Sequence, residues 1–316
     1  MTSFAFVFPG QGSQSVGMLD AWGDHPAVAE TLREASDALG EDIARLVREG
    51  PKEALALTTN TQPVMLVAGV AAWRAWKAEG GADPAAVAGH SLGEYSALVA
   101  SGVLTLAQAA PLVRFRAAAM QEAVPVGVGA MAAILGMDAS KVIAGCQEVT
   151  AALAGSGHEV VEAVNFNDPA QTVIAGSKAA VEKACEVLKA AGAKRALPLP
   201  VSAPFHSSLM QPAAEKLKAK LADTAFAAPR IPVLNNIDVA VQTDAAAIRE
   251  ALYRQAFGPV RWVECVQALQ QRGITHVVEC GPGKVLAGMA KRIDPALSAA
   301  ALYDPATLAE VRALLA

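Results

Sequence analysis

The segment Gly89-His90-Ser91-Leu92-Gly93 places a serine between two glycines in a G-x-S-x-G pattern. Glycines flank a nucleophilic serine where a strand turns sharply into a helix, because such a turn has no room for neighbouring side chains. The turn exposes the hydroxyl near the positive end of the helix and leaves the next backbone N–H free to hold an oxyanion. The pattern predicts Ser91 as a nucleophile and the N–H of Leu92 as an oxyanion donor. The alternative is a structural turn with an inert serine.

A serine nucleophile needs a base, and histidine is the usual one. The sequence contains His25, His90, His158, His206 and His276. His25 and His158 lie in polar, loop-like segments, His276 lies in the last apolar strand, and strand alternation points His90 away from Ser91. His206 lies between a proline-containing loop and a predicted helix, at the sheet edge where Ser91 is expected. A helix start also disfavours a charged imidazolium, so we predict His206 as the base, with a capping or packed histidine as the alternative.

Two further polar side chains are candidates for substrate contacts. Arg116 lies in the predicted helix after the elbow helix and is followed by three alanines, an apolar setting in which a guanidinium needs an anion. An internal salt bridge and a bidentate clamp for a substrate carboxylate both satisfy that need. Gln11, after the first strand, could turn its amide toward the same sheet edge as Ser91.

The elements that must position these residues alternate between strands and helices. Apolar strands are predicted at FAFVF, AAVAG, IPVLNN and ITHVVEC. Helices are predicted over 31–39, 43–49, 61–80, 207–222 and 260–272, with further helices on both sides of 101–102 and after 283. Strands separated by helices indicate an α/β fold with a mostly parallel sheet that is covered on both faces.

A second pattern begins after VPVGVGA, residues 124–130, which we interpret as a linker. The residues beyond it predict a strand at 131–135, a helix at 139–154, strands at 160–165 and 172–175, a helix at 178–191 and a strand at 194–197. This βαββαβ order is that of the ferredoxin-like motif. We therefore predict a ferredoxin-like domain over 127–198, inserted into a larger domain formed by 1–126 and 199–316.

The composition restricts the classes of function. The 316 residues carry a net charge of -4 and are 53% hydrophobic and 18% charged, as in globular proteins. That charge gives no electrostatic signature of nucleic-acid binding. Four widely spaced cysteines without a C-x-x-C pair favour free thiols in a reducing compartment.

Two observations address targeting. The uncharged stretch from 95 to 113 contains polar residues and Pro111, so we expect two buried helices there and no membrane span. The first residues carry no basic region and no long apolar core, so no signal peptide is predicted. We expect a cytoplasmic protein.

Seven segments, in this order along essentially the whole chain, resemble the malonyl-CoA:acyl carrier protein transacylase family of type II fatty-acid synthesis. They are FPGQGSQ, GHSLGEYSAL, MQEAVP preceded by Arg116, VNFN, VSAPFHSSLM, RQAFGPVRW and VECGPGKVL. The resemblance implies an α/β-hydrolase-like larger domain with a ferredoxin-like insertion and an active site in the cleft between them.

The resemblance also implies roles for individual residues. Ser91 is the acylated nucleophile and His206 the general base and acid. Arg116 binds the malonyl carboxylate, and the backbone N–H groups of Gln11 and Leu92 form the oxyanion hole. Gln255 lies in a loop whose backbone carbonyl orients the histidine. This last role departs from a Ser-His-Asp triad. The residues themselves do not identify an acidic third member of such a triad, and nothing distinguishes Asp168 from the other acidic candidates.

The resemblance implies ping-pong transfer of a malonyl group from malonyl-CoA to acyl carrier protein. We expect no cofactor, no metal and a monomer. Three other functions stay open on the residues alone. They are an acyltransferase of a polyketide or polyunsaturated-lipid pathway, a serine esterase or thioesterase, and a non-catalytic scaffold that binds carrier proteins. Phe205, beside His206, is similar to the residue at this position in the relatives that select malonyl groups.

Overall fold

A computed structural model describes residues 2–155, 159–201 and 203–316. The strands are β1 (Phe4–Phe8), β2 (Ala86–Gly89), β3 (Gly129–Leu135), β4 (Val161–Asp168), β5 (Gln171–Ser177), β6 (Arg195–Pro198), β7 (Val233–Leu234), β8 (His276–Cys280) and β9 (Ser298–Leu302). The helices are α1 (Pro26–Leu39), α2 (Ile43–Glu49), α3 (Lys52–Ala56), α4 (Thr58–Ala78), α5 (Gly93–Ala100), α6 (Leu106–Glu122), α7 (Ala139–Ala152), α8 (Lys178–Ala190), α9 (Gln211–Asp223), α10 (Ala245–Phe257), α11 (Trp262–Gln271), α12 (Val285–Ile293) and α13 (Pro305–Leu315). Short 3-10 turns occupy Asp20–Trp22 and Ser208–Met210.

The larger sheet is parallel, with the strand order β7-β2-β1-β8-β9. Alternate residues of the central strand β1 face opposite sides, as the pleat requires. Phe4 and Phe6 stack edge-on against Trp76 of α4, whereas Ala5 and Val7 join a core that includes residues of α11 and α12. The sheet is therefore covered on both faces, which confirms the predicted α/β class.

The carboxyl ends of β1, β2 and β7 lie side by side at one edge of this sheet. Phe8 pairs with Gly89, and Ala88 pairs with Leu234. The residues that follow these strands are consequently brought together, although they are far apart in the sequence. In parallel α/β sheets this edge is the usual place for a ligand.

The smaller sheet is antiparallel, with the order β4-β5-β3-β6. Its chain order is β3-α7-β4-β5-α8-β6, which confirms the predicted ferredoxin-like motif. All four strands fall between Gly129 and Pro198. The exact limits proposed for the inserted domain stay a prediction.

The strand β4 attaches the smaller sheet to the larger domain beside the edge of the parallel sheet. Phe166 donates its backbone N–H to the carbonyl of Val260 at 3.0 Å, and Val260 donates to Val164 at 2.8 Å. The guanidinium Nε of Arg292, on α12, lies 2.7 Å from Oδ2 of the buried Asp168. These contacts place one face of the smaller sheet above the residues at the edge of the parallel sheet.

Several elements differ from the sequence-based prediction. The helix expected over 207–222 begins at Gln211, because Pro212 occupies its first turn and a 3-10 turn precedes it. Helices α10 and α13 and strand β9 were not predicted. Each of these elements is rich in alanine, which carries little periodic signal.

The uncharged stretch from 95 to 113 forms parts of α5 and α6, separated by a turn at Ser101 and Gly102, as predicted. Within the described ranges, no helix has the length and apolar character needed to cross a bilayer.

Candidate active site

Ser91 lies in the turn between β2 and α5, with a φ of 52° in the left-handed region. The two flanking glycines are required by close backbone approach. A Cβ atom on Gly93 would lie 2.0 Å from the carbonyl oxygen of Phe8, and one on Gly89 would lie 1.9 Å from the carbonyl carbon of Gly93. The strand–turn–helix context predicted for the G-x-S-x-G pattern is therefore present.

Asn236, just after β7, clamps both sides of this turn. The backbone N–H of Ser91 donates to Oδ1 of Asn236 at 2.7 Å, and Nδ2 of Asn236 donates to the carbonyl of Gly89 at 2.7 Å. These bonds hold the serine backbone in a conformation that a residue with a side chain rarely adopts. Asn236 was not predicted as a site residue, because its only signal in the sequence is an amide two residues after a short apolar strand.

His206 lies 2.6 Å from the nucleophile, measured from its Nε2 atom to Oγ of Ser91. Its Nδ1 atom lies 2.9 Å from the backbone carbonyl oxygen of Gln255. Because a carbonyl oxygen can only accept, Nδ1 carries the proton and Nε2 presents its lone pair to the hydroxyl. Like Ser91, His206 has a positive φ, 65°, so strained backbone supports both partners.

Burial, and to a smaller extent the positive charge of Arg116, lower the pKa of His206 from 6.5 to about 3. The imidazole is therefore neutral near pH 7 and able to accept the hydroxyl proton. A neutral ring was predicted from the neighbouring helix start. The structure instead attributes it to burial and to the guanidinium.

Gln255 lies in the last turn of α10, so its predicted place in a loop was wrong. The helix ends at Phe257, and carbonyls in the last turn have no intrahelical partner. The Gln255 carbonyl is therefore available to Nδ1 of His206, as the resemblance implied. The helix was not predicted because its first turn is rich in alanine, which carries little periodic signal.

Arg116 is 1% exposed and lies at the bottom of the site. Its Nη1 donates to Oε1 of Gln62 at 2.8 Å, and its Nη2 approaches Oε1 of Gln255 at 3.1 Å and Oγ of Ser91 at 3.3 Å. Among the described residues, no carboxylate lies within ion-pair distance of this guanidinium, so the internal salt bridge was the wrong alternative. Burial lowers the pKa of Arg116, partly offset by Tyr95 and Glu94.

A cavity of about 230 Å³ lies between the parallel-sheet edge and the smaller sheet. Ser91, His206 and Arg116 line it together with Gln11 and Leu92, so all the predicted site residues except Gln255 reach it. Further wall residues come from the smaller sheet and from the loop before His206. They are Met131, Ala133, Gln171, Val173, Leu199, Val201 and Phe205.

His90 follows β2 directly, and its side chain has partners other than Ser91. Its Nε2 lies 2.8 Å from Oδ1 of Asn167, at the end of β4, and its ring lies 5.5 Å from that of Trp262. Both His90 and Asn167 are among the residues that line the cavity. The predicted direction of the His90 side chain relative to Ser91 stays a prediction.

The remaining candidates lie elsewhere. His25 caps α1, accepting from the N–H of Ala27, and His276 begins β8. Asp168 pairs with Arg292, away from the imidazole of His206. His158 lies outside the described residues. Across those residues, no group of three or more His, Cys, Asp or Glu side chains is arranged to hold a metal ion.

The cleft between the two sheets thus holds a serine hydroxyl beside a neutral imidazole, an arrangement suited to an acyltransferase. The acyl transferase domain family matches residues 5–300, and the chain belongs to that family. Over 309 residues it is 55% identical to the malonyl CoA-acyl carrier protein transacylase of Salmonella typhimurium, covering 98% of each protein. It is 45% identical over 309 residues to the Bacillus subtilis protein of the same name, covering 98% of this chain and 96% of that one.

Solved structures give the same result. The acyl-carrier-protein S-malonyltransferase of Burkholderia pseudomallei superposes with a TM-score of 0.95 at 64% identity, covering 98% of this chain and 99% of that one. A malonyl-transacylase in complex with its type II polyketide acyl carrier protein superposes with a TM-score of 0.94 at 51% identity, covering 98% of each chain. The resemblance inferred from the seven segments is confirmed.

Proposed function

We propose that this chain transfers the malonyl group from malonyl-CoA to the phosphopantetheine thiol of acyl carrier protein through a malonyl ester on Ser91. One observation carries the proposal: Oγ of Ser91 contacts both a neutral imidazole, at 2.6 Å, and a buried guanidinium, at 3.3 Å, that pairs with no carboxylate in the described part of the chain. The relatives that bear this activity in their names match nearly the whole chain.

In the first half-reaction, Oγ of Ser91 attacks the thioester carbonyl while Nε2 of His206 takes the hydroxyl proton. The carbonyl of Gln255 stabilises the resulting imidazolium through Nδ1. The tetrahedral intermediate then collapses, the C–S bond breaks, and His206 returns the proton to the departing CoA thiolate.

We assign the oxyanion hole to the backbone N–H groups of Leu92 and Gln11. Both residues line the cavity beside Ser91. Leu92 precedes α5 directly, so its N–H belongs to the positive end of that helix. Donors fixed before the reaction stabilise the developing charge without reorganisation.

Arg116 selects the acyl group. Its Nη2 lies so close to the nucleophile that it suits an acyl group whose carboxylate is one methylene away from the reacting carbonyl, as in malonyl. An acetyl group would leave the buried guanidinium without its anion, which disfavours acetyl-CoA.

In the second half-reaction, the carrier-protein thiol attacks the malonyl ester. His206 takes the thiol proton, the ester C–O bond breaks, and Ser91 regains a proton from the imidazolium. Both half-reactions use only side chains and backbone groups of this chain, so we propose that no cofactor takes part. From the composition and the cysteine pattern we further propose a cytoplasmic protein that does not bind nucleic acid. We also propose that it acts as a monomer.

The test is acylation of the protein by malonyl-CoA, followed by peptide mass spectrometry and by transfer to a fatty-acid or a type II polyketide carrier protein. We expect a malonyl adduct on the Ser91 peptide, its discharge by carrier protein, and no adduct in Ser91→Ala. An adduct on another residue would refute the mechanism. Free malonate released as fast as carrier protein is loaded would identify a thioesterase, and carrier binding without acyl exchange would identify a scaffold.

A further inference from the structure

Glu94 is a buried carboxyl group that the proposed chemistry does not use. It lies in the first turn of α5, only 2% exposed, within a helix whose other buried residues are apolar or uncharged. A carboxyl group in such a place is costly unless its oxygens are hydrogen-bonded. Its partners therefore indicate what it does.

Two donors meet at one oxygen of this side chain. Oε2 of Glu94 accepts from Nε2 of Gln255 and from the backbone N–H of Asn236, each at 2.9 Å. Asn236 is the residue that clamps the turn at Ser91, and Gln255 contacts Arg116. The carboxyl group of Glu94 thus bonds to the residues that support the Ser91 turn and Arg116, whereas only its backbone N–H reaches Ser91, donating to the carbonyl at 3.1 Å.

Two contacts fix the orientation of the side-chain amide of Gln255, and one of them is the contact with Glu94. Its Nε2 donates both to Oε2 of Glu94 and to the backbone carbonyl of Ser91, the latter at 3.0 Å. Both partners can only be satisfied by the NH₂ group, so the amide oxygen must face the other way. On that side it accepts from Nη2 of Arg116 at 3.1 Å.

This orientation matters because a reversed amide would turn its NH₂ group toward the guanidinium. Donor would then face donor, and Nη2 of Arg116 would lose its support. In the observed arrangement, two neutral amide oxygens, those of Gln62 and Gln255, hold Arg116 in place. A carboxylate in direct contact would instead occupy the guanidinium and compete with the carboxylate of the substrate.

We propose that Glu94 is a positioning residue for acyl-group selection, which fixes the Gln255 amide so that Arg116 is held in place for the substrate carboxylate. The inference rests on the proposed function, because only a carboxylate-bearing acyl group uses Arg116. A carbonyl oxygen at this position suffices to accept both N–H groups, so a glutamine in place of Glu94 retains the effect.

The test compares malonyl with acetyl transfer, since the second acyl group has no carboxylate. Loss of the bond to Asn236 affects the turn at Ser91 and slows both acyl groups alike. Loss of the bond to Gln255 affects Arg116 and slows malonyl alone. We expect Glu94→Ala to lower kcat/KM for malonyl-CoA at least about 10-fold more than for acetyl-CoA, and Glu94→Gln to keep the wild-type ratio within about 3-fold.

A second variant, Gln255→Met, retains the backbone carbonyl that orients His206 and removes only the amide. It should lower the malonyl-to-acetyl ratio as Glu94→Ala does, and it serves as the test if Glu94→Ala does not fold. In the double variant the malonyl-specific losses should not add, because Glu94 acts through Gln255.

Equal losses for the two acyl groups, an unchanged ratio in Gln255→Met, or additive losses in the double variant would overturn the inference. These outcomes are distinct from failure of the proposed function. That failure would show as a wild-type protein that does not transfer malonyl to carrier protein.

Discussion

Nη2 of Arg116 lies 3.3 Å from Oγ of Ser91, so one cavity wall holds a fixed positive charge and a nucleophile in contact. The guanidinium lies on α6 and the serine in the turn before α5, and both are held by side chains from other elements. In the proposed mechanism this distance decides which acyl groups can be bound at both ends. A short diacid would reach from Ser91 to the guanidinium, whereas a monoacid would leave the guanidinium unpaired.

Replacing this guanidinium should change selectivity more than folding. Arg116→Ala is expected to lower kcat/KM for malonyl-CoA by about 10²- to 10³-fold, since two charge-assisted hydrogen bonds contribute roughly 3–4 kcal/mol. Short unbranched acyl groups should become relatively better substrates. Initial rates of carrier-protein acylation with malonyl-, methylmalonyl- and acetyl-CoA measure both effects.

Arg114→Ala is the matched control for this variant, because it removes a guanidinium from the same helix. Arg114 pairs with Glu41 and donates to Oδ1 of Asn60 at 2.7 Å, away from the cavity. Its loss should leave the malonyl-to-acetyl ratio unchanged. An unchanged malonyl preference in Arg116→Ala itself would refute the role assigned to that residue.

The pH dependence of acylation follows from the neutral imidazole. Because burial and Arg116 lower the pKa of His206 to about 3, the base form persists well below pH 6.5. The rate of Ser91 acylation, measured in a single turnover with malonyl-CoA, should stay nearly constant from pH 8 to about pH 5.5. A decline with a midpoint near pH 6.5 would contradict the assignment of the lowered pKa.

The same shift has a consequence for stability. In the unfolded chain the imidazole binds a proton near pH 6.5, whereas in the folded protein it does so only near pH 3. The contribution of His206 is thus fully present above pH 6.5 and is lost as the pH falls from there toward 3. That loss has a slope of up to about 1.4 kcal/mol per pH unit.

Urea unfolding at several pH values can isolate this contribution. His206→Gln cannot gain the proton, so its free energy of unfolding should fall less steeply with acidification than that of the wild type. His276→Gln, at the start of β8 and outside the cavity, is the matched control and should follow the wild-type slope. Equal slopes for His206→Gln and the wild type would contradict the prediction.

The chemistry-bearing residues were predictable because short-range patterns mark them. The two glycines around Ser91 indicate a crowded backbone turn, and the three alanines after Arg116 indicate that its charge is buried. Strands β1 and β2 were predictable for a similar reason, since each is a continuous apolar run that ends at glycine or proline, and β8 has a mostly apolar run that ends at Gly281.

The supports of these residues could not be predicted from the sequence. Three supports, Asn236 after β7, Gln62 on α4 and Glu94 on α5, contact the site. Their roles depend on distances between elements that are remote in the sequence. From the sequence alone, an asparagine after a short strand can be a residue that clamps another turn or simply a turn residue, and the two cannot be distinguished. The helix containing Gln255 was missed because alanines fill its first turn and blur the apolar period.

Removing the clamp at Asn236 should destabilise the turn that carries the nucleophile. Asn236→Ala leaves the N–H of Ser91 and the carbonyl of Gly89 without their present partners, at a cost of about 2–4 kcal/mol in the free energy of unfolding. Ser91 acylation should slow for malonyl and acetyl alike, because the clamp does not touch Arg116. A variant as stable as the wild type, or one that slows malonyl alone, would contradict this role.

Gly93 tests the close packing of the turn itself. A Cβ atom there would lie 2.0 Å from the carbonyl oxygen of Phe8 and 3.0 Å from that of Pro9, and neither backbone atom can move without displacing β1. Gly93→Ala should therefore lower the free energy of unfolding by about 3 kcal/mol or more, measured by urea unfolding with far-UV circular dichroism.

Gly288→Ala provides the contrast, because it also adds one methyl group to a helix. The nearest heavy atom to that Cβ is the flexible guanidinium Nη1 of Arg292, at 3.4 Å, which is an ordinary contact. With no clash, alanine in the interior of α12 should stabilise the protein by roughly 0.5–1 kcal/mol. The two substitutions should thus have opposite signs, and a neutral Gly93→Ala would mean that β1 and α5 do not approach as closely as the strand–turn–helix geometry requires.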